Sequence, residues 1–553
     1  MRAASLVMLV MIIACTGTTQ PSPPQSNAAG SEAPPDATLA DSQPVESVVT
    51  GQADLVCWKA STDGSAGAIV MEDVTQSIGL VEPLTGIHGH AGAFGDVDSD
   101  GTTDVLVGTF ADRPEDTYAV RGATGPRPDQ IVSLSASHVE VVEGWSDELA
   151  RTSGALFADL DGDGDDDLVL VRNAGVSGDA KEPTRIFENK EGNLVPRSEP
   201  LAVGFRGRTP TVADFDRDGR LDIYVSEGRY GETGGILLLN RGDFEFEDVT
   251  AGSGLEGLFS LGAQAADLNR DGVADLVLST GVFLNSGDAS FVDYTPGDFL
   301  PEIYGEEDDP AGVAVGDLNH DGWPDIVVGQ HFRSTIEFGV EVPIRVFLSD
   351  GEAEDLSFTD VTDSSGVVDF PTLAPHVEIA DVNNDGHPDV ITSASVNGGT
   401  SPAILINDGG PLPHFSVVGD TGSQQYWVGA PSVDYDRDGR VDILALEWEP
   451  SLPSIMFRND SQVGHWLEVS VAGPGRGIGS VVSVTTESGE PVGRQELMIA
   501  TGYASSGLPI SRFGLGEVKR VNVEITSPDG KSVNLGSFDA DSHIRWPDGC
   551  GPA

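Results

Sequence analysis

The sequence predicts an all-β protein: a seven-bladed β-propeller with acidic loops, followed by a small C-terminal β-rich domain. Three observations carry this. A nine-residue acidic motif recurs seven times at intervals of 50 to 64 residues, strand-like apolar runs flank every copy, and 69 Gly and 34 Pro punctuate the chain where helical periodicity would be broken.

The first 14 residues read as a lipoprotein signal peptide. Arg2 supplies a positive start, and the apolar run from Leu6 to Ala14 is far short of the roughly 20 residues that a spanning helix requires. The run ends in Ile12-Ile13-Ala14-Cys15, which resembles a bacterial lipobox with Cys15 as the acylated residue. Residues 15–54 are rich in Pro, Ser, Ala, Thr and Gln and poor in large apolar side chains. They are expected to form a disordered tether, because so little burial cannot offset the entropy of ordering.

Residues 55–460 are expected to form the propeller. The motif DxDxDGxxD, with Asn allowed at place three, occurs first as Asp96, Asp98, Asp100 and Asp104, then as Asp159, Asp161, Asp163 and Asp167, and third as Asp214, Asp216, Asp218 and Asp222. It continues as Asp267, Asn269, Asp271 and Asp275, then Asp317, Asn319, Asp321 and Asp325, then Asp381, Asn383, Asp385 and Asp389, and last Asp434, Asp436, Asp438 and Asp442. Small-residue runs such as GALFA and GVAVG precede the motifs, and runs such as LVLV and IVVG follow them. Two further strand-like runs complete each unit, as a propeller blade requires. The segment AIVMEDVT before the first motif complements SIMFRND after the last, so one blade is expected to be stitched from both ends of the region, closing the ring.

The motif chemistry points to about seven Ca2+ ions. Calcium takes six to eight hard oxygens, alternate side chains at places one, three and five aim oxygens into one concavity, and Gly at place six allows the turn. A carbonyl at place seven and the aspartate at place nine complete the expected shell. An EF-hand is excluded, because place twelve is apolar (Val107, Leu170, Val225, Leu278) where a bidentate Glu is required.

The 89 acidic against 30 basic residues, a formal charge of −59, repel phosphate backbones and argue against nucleic acid. Cys57 and Cys550 lie near the two ends of the folded part, and a disulfide between them and two free thiols are both open readings. His88 and His90 alternate on a strand and read as a polar strand end near the ring's mouth. Arg241-Gly242-Asp243 spells an adhesion tripeptide, but in register it is the same turn as Asn285-Ser286-Gly287-Asp288. No nucleophile elbow, phosphate loop or dinucleotide fingerprint is present, so no catalytic residue or organic cofactor is assigned.

The seven motifs, with Gly429-Ala430-Pro431 ahead of the last, resemble the FG-GAP/VCBS repeats that also build the propeller of integrin α chains. Residues 461–546 resemble the ASPIC/UnbV domain of cartilage acidic protein-like chains, through His465-Trp466-Leu467-Glu468-Val469, Gly477-Ile478-Gly479, Thr501-Gly502-Tyr503 and Arg512-Phe513-Gly514-Leu515-Gly516, leaving 547–553 as a tail. The resemblance implies a ring with calcium loops on one rim, used in adhesion. The expectation is therefore an exported lipoprotein, anchored to a membrane by its N-terminal lipid alone, that holds a protein or glycan ligand without catalysis. The alternative is a propeller-type polysaccharide lyase or hydrolase at the cell surface.

Overall fold

The computed structural model describes residues 55–547, except 112, 114, 143–144, 146–148, 174–182, 198–204, 229–230, 232, 298, 300–309, 332–342, 352–355, 368–373, 397–400, 419–426 and 500–501. The signal, the tether, Cys15 and Cys550 therefore lie outside the described residues. The longest described α-helix, Glu115–Val120, has six residues. No described helix is long and apolar enough to cross a membrane.

The described strands form nine sheets. Seven come from the repeat region, each starting on the strand that leads into an acidic loop and continuing on the strand that follows it. In the third, Gly207–Ala213 pairs with Asp222–Glu227, then Ile236–Asn240, then Phe246–Asp248, all antiparallel. The sheet around the last loop takes its fourth strand from the other end of the region: Met71–Asp73 pairs with Ile455–Asn459, Glu72 opposite Arg458.

Each second strand is buried on both faces, which explains its unbroken apolar run. Ile223 and Val225 enter one core with Val169 and Val171 of the preceding sheet, while Tyr224 enters another with Leu276 of the next. The same sharing joins Leu106 to Leu168, Val277 to Val328, Val327 to Leu405, and Ile391 to Ile443. Leu444 then packs with Phe94 and Val105 of the first sheet, so the chain of cores closes on itself. A fully buried Val, Leu or Ile contributes about 1.5–3 kcal/mol, and every junction holds several.

The innermost strands are Gly- and Ala-rich because they converge. A side-chain carbon at Gly154 would stand 1.8 Å from the Arg208 carbonyl oxygen of the next inner strand. One at Gly312 would meet the carbonyl oxygens of Pro375 at 2.5 Å and Gly502 at 2.7 Å.

The two remaining sheets enclose one apolar core that includes Leu467, Val482, Phe513, Val523 and Ile544. The expected boundaries, ring from 55 and C-terminal module from 461, are crossed twice. Val56–Lys59 belongs to the module, pairing with Ser542–Trp546, because Leu55 and Val56 join the module's core. Cys57 on that strand is disulfide-bonded. Conversely, a segment of the module leaves it to enter the ring. Ser505 and Ser506 run parallel to Gly92 and Ala93 on the inner side of the first sheet. The Ala504 N–H donates to Thr209 Oγ1 at 3.0 Å in the third sheet, the Gln264 amide of the fourth donates to Met498 Sδ at 2.7 Å, and the Val313 N–H of the fifth donates to the Gly502 carbonyl at 2.9 Å. Tyr503 N–H donates to His376 Nδ1 at 3.2 Å ahead of the sixth, and Tyr503 and Ala504 pack on Val428 of the seventh. The segment is a plug along the ring's axis.

Replacing Gly312 by Val should unseat this plug. Limited proteolysis is expected to cut between residues 498 and 508 in the variant and not in the wild type, with a stability loss of about 3 kcal/mol in a melt.

Candidate metal centres

The acidic loops share one hydrogen-bond design. In the third, Asp214 accepts from the N–H groups of Asp218 (3.0 Å) and Gly219 (2.9 Å), so the place-one carboxylate gathers the loop around itself. Asp267, Asp317, Asp381 and Asp434 do the same with the residues at places five and six of their loops. Place six is a left-handed Gly throughout, as the turn demands, with φ between 81° and 99°. Place four is left-handed as well, at φ 53–62° for Ser99, Arg217, Arg270, His320, Asn384 and Arg437.

The place-nine aspartates are the most buried members. Asp222 accepts from Phe215 N–H at 2.9 Å and from Asn240 N–H at 2.8 Å, tying its own loop to the third strand of its sheet. Asp167, Asp275, Asp325, Asp389 and Asp442 repeat both contacts. The third-strand partner is usually Asn, and its side chain reaches the preceding sheet. Asn240 Nδ2 donates to the Leu160 carbonyl at 2.8 Å, and Asn189, Asn285, Asn407 and Asn459 donate likewise to Val97, Phe215, Leu318 and Val382. Sequence reasoning missed these staples, although an Asn stands in each of those third-strand runs.

Side-chain oxygens converge as follows. Asp96, Asp98 and Asp104 offer carboxylate oxygens within 4.8 Å of one another, as do Asp159, Asp161 and Asp167, and Asp434, Asp436 and Asp442. In the third loop the converging set is Asp214, Asp216 and Asp218. The place-five residues Asp100, Asp163 and Asp438 fall outside these sets. Asp100 and Asp163 accept from the N–H two residues on, and Asp438 accepts from Arg440 N–H and pairs with its guanidinium at 2.6 Å. In the fourth, fifth and sixth loops the place-three Asn donates to the place-five Asp, at 3.0 Å from Asn269 and 2.9 Å from Asn319 and Asn383, while its neutral oxygen accepts from the place-five N–H. Every donor is a hard oxygen, the set that suits a divalent alkaline-earth cation.

Burial and mutual repulsion raise the place-nine carboxyls above their ordinary value of 3.8. Burial is the larger cause, and it pushes Asp104 and Asp222 up to about 7 and Asp167, Asp275 and Asp325 up to about 8, with the neighbouring place-one or place-three aspartate adding to each. The C-terminal module lies against this rim. Arg512 bridges Asp434, at 3.1 Å, and Glu468, Arg476 pairs with Asp166 at 2.9 Å, and Gly475 N–H donates to Asp159 at 3.0 Å. Glu496 accepts from Asp267 N–H at 2.9 Å. The tripeptide Arg241-Gly242-Asp243 is a tight turn whose Arg241 is held by Asp216 at 2.9 Å and Glu247 at 2.8 Å.

A closed ring of sheets, each with a carboxylate loop between its first two strands, defines a repeat protein of the propeller class. The profile of FG-GAP-like repeats matches residues 159–225, 279–328 and 381–445, and that of ASPIC and UnbV matches 471–549, so the chain carries FG-GAP-like repeats followed by an ASPIC and UnbV domain. It is similar to cartilage acidic protein 1 of Homo sapiens, 26% identical over 70% of this chain and 61% of that protein, and to that of Mus musculus, 27% identical over 70% and 63%. The chain thus spans under two thirds of the length of these relatives. Integrin alpha-7 of Mus musculus is 31% identical over 21% of this chain and 11% of its own. The solved Dos1 propeller covers 90% of this chain and 99% of its own at 11% identity, with a TM-score of 0.36 that adds nothing to the architecture seen directly.

Without divalent cations, the raised carboxyls set the sign of the pH response. The folded state keeps protons between pH 4 and 8 that the unfolded chain releases, so stability is greatest below about pH 4 and falls as pH rises through 7 to 8. Melting temperatures in chelator should therefore drop from pH 5 to pH 8, and a rising profile would contradict the burial of these groups.

Proposed function

We propose that the protein is an exported scaffold that binds a protein or glycan ligand and is held rigid by about seven calcium ions. The observation that supports this most is the recurrence of all-oxygen carboxylate clusters at one place in successive sheets, where the ring's own charge repels itself. A bound calcium ion would supply two positive charges to carboxylates that protons otherwise neutralise, and would replace repulsion with coordination. Asp96, Asp98 and Asp104, with their counterparts in the other loops, would hold it, and Asn269, Asn319 and Asn383 would lower the charge of three sites. The likeness to cartilage acidic protein 1 and to integrin α chains supports a binding rather than a catalytic use. Export and membrane attachment rest on the Ile12-Ile13-Ala14-Cys15 run, with Cys15 carrying the lipid.

Calcium should raise the melting temperature by 10 °C or more at pH 7.5, and the gain should shrink at pH 5, where protons compete for the same oxygens. Asp216→Asn, which removes one charge from the converging set of the third loop, is expected to lower calcium stoichiometry by one in equilibrium dialysis. A melting curve indifferent to chelator would rule out structural ions. A pull-down with the purified chain, in calcium and in chelator, tests the scaffold role through calcium-dependent capture of a defined ligand.

A further inference from the structure

The mouth of the ring opposite the acidic loops has different chemistry. There the inner strands begin and the second strands end, and the axial plug brings Tyr503 up between them. The His90 ring stacks on Phe110 with centroids 4.2 Å apart and lies 5.7 Å from the Tyr503 ring, which is itself 6.3 Å from His331. Burial, and then the cations Arg208, His331 and Arg151, hold His90 well below its ordinary value against the opposing pull of a hydrogen bond to the Ser153 backbone.

Arg208 points to a ligand. It stands at the start of the third inner strand, partly exposed, yet its Nε and Nη1 are buried and have no hydrogen-bond partner among the described residues. The position facing its Nε is Gly228, where even a side-chain carbon would stop 3.8 Å short. A partly desolvated guanidinium whose Nε and Nη1 have no partner among the described residues is destabilising. Nearby polar atoms are orphaned too. Among the described residues, His90 Nδ1 is buried without a partner, and so are both amide atoms of Gln330, at the same end of the fifth sheet beside His331. A planar fork matches a carboxylate, and an imidazole with a primary amide both gives and takes hydrogen bonds as sugar hydroxyls require.

We propose that this mouth is a recognition site for an acidic saccharide, with a uronate carboxylate on Arg208 and hydroxyl groups on His90 and Gln330. The proposal rests on the binding-scaffold reading above and names its ligand class and surface.

The test is calorimetric binding of the full chain, in calcium buffer, to oligogalacturonate, with a neutral oligosaccharide of equal length, an Asp/Glu-rich peptide and inorganic sulfate as parallel arms. Saturable binding of the oligouronate alone is expected. Arg208→Met should weaken it at least tenfold while raising the melting temperature, since an unpaired buried charge has been removed. Arg208→Lys, which keeps charge without the fork, should lose most of the affinity. A lower melting temperature in Arg208→Met would show that the guanidinium has a structural partner and overturn the site. Preference for the peptide would overturn the ligand class, and sulfate binding as tight as the oligouronate would reduce the site to a non-selective anion contact. If the wild type captures a ligand in a calcium-dependent way and Arg208→Met captures it equally, the scaffold reading stands and this site fails.

Discussion

The structure depends on one buried carboxylate used again and again. The place-nine aspartate begins the second strand, holds its own loop through one N–H, and holds the third strand through another. Where that third-strand residue is Asn, its side chain crosses to the previous sheet's loop carbonyl. A single group therefore couples loop closure, strand register and the junction between sheets. Burying it raises the energy of its charged form, so the motif that organises the ring also leaves it short of positive charge.

The C-terminal module answers part of that need. Arg512 and Arg476 reach carboxylates of the seventh and second loops, which would otherwise sit beneath an apolar sandwich with only each other for company. The module covers that rim, and its own segment fills the axis.

Much of the fold was legible because its determinants are local. Loop geometry is written in nine consecutive residues, and the small inner strands announce close approach, as Gly154 against the Arg208 carbonyl shows. The role of place nine was legible as acidity and not as architecture, since its partners Asn189, Asn240, Asn285, Asn407 and Asn459 stand 10 to 22 residues downstream with no fixed interval. The plug, the placement of Val56–Lys59 in the module and the isolation of Arg208 depend on residues hundreds of positions apart. Periodicity carries no information at that range. Arg208 in particular looks like any other arginine until three dimensions show its Nε and Nη1 buried without a hydrogen-bond partner among the described residues.

Two pairings have a consequence for biogenesis. Met71–Asp73 must meet Ile455–Asn459, and Val56–Lys59 must meet Ser542–Trp546. A polypeptide emerging from its N-terminus first cannot close the ring until Ile455–Asn459 has appeared, nor complete the module until residues beyond 540 have followed. Until then it carries an open stack of sheets with a bare edge at either end, the kind of surface on which strands of other molecules add.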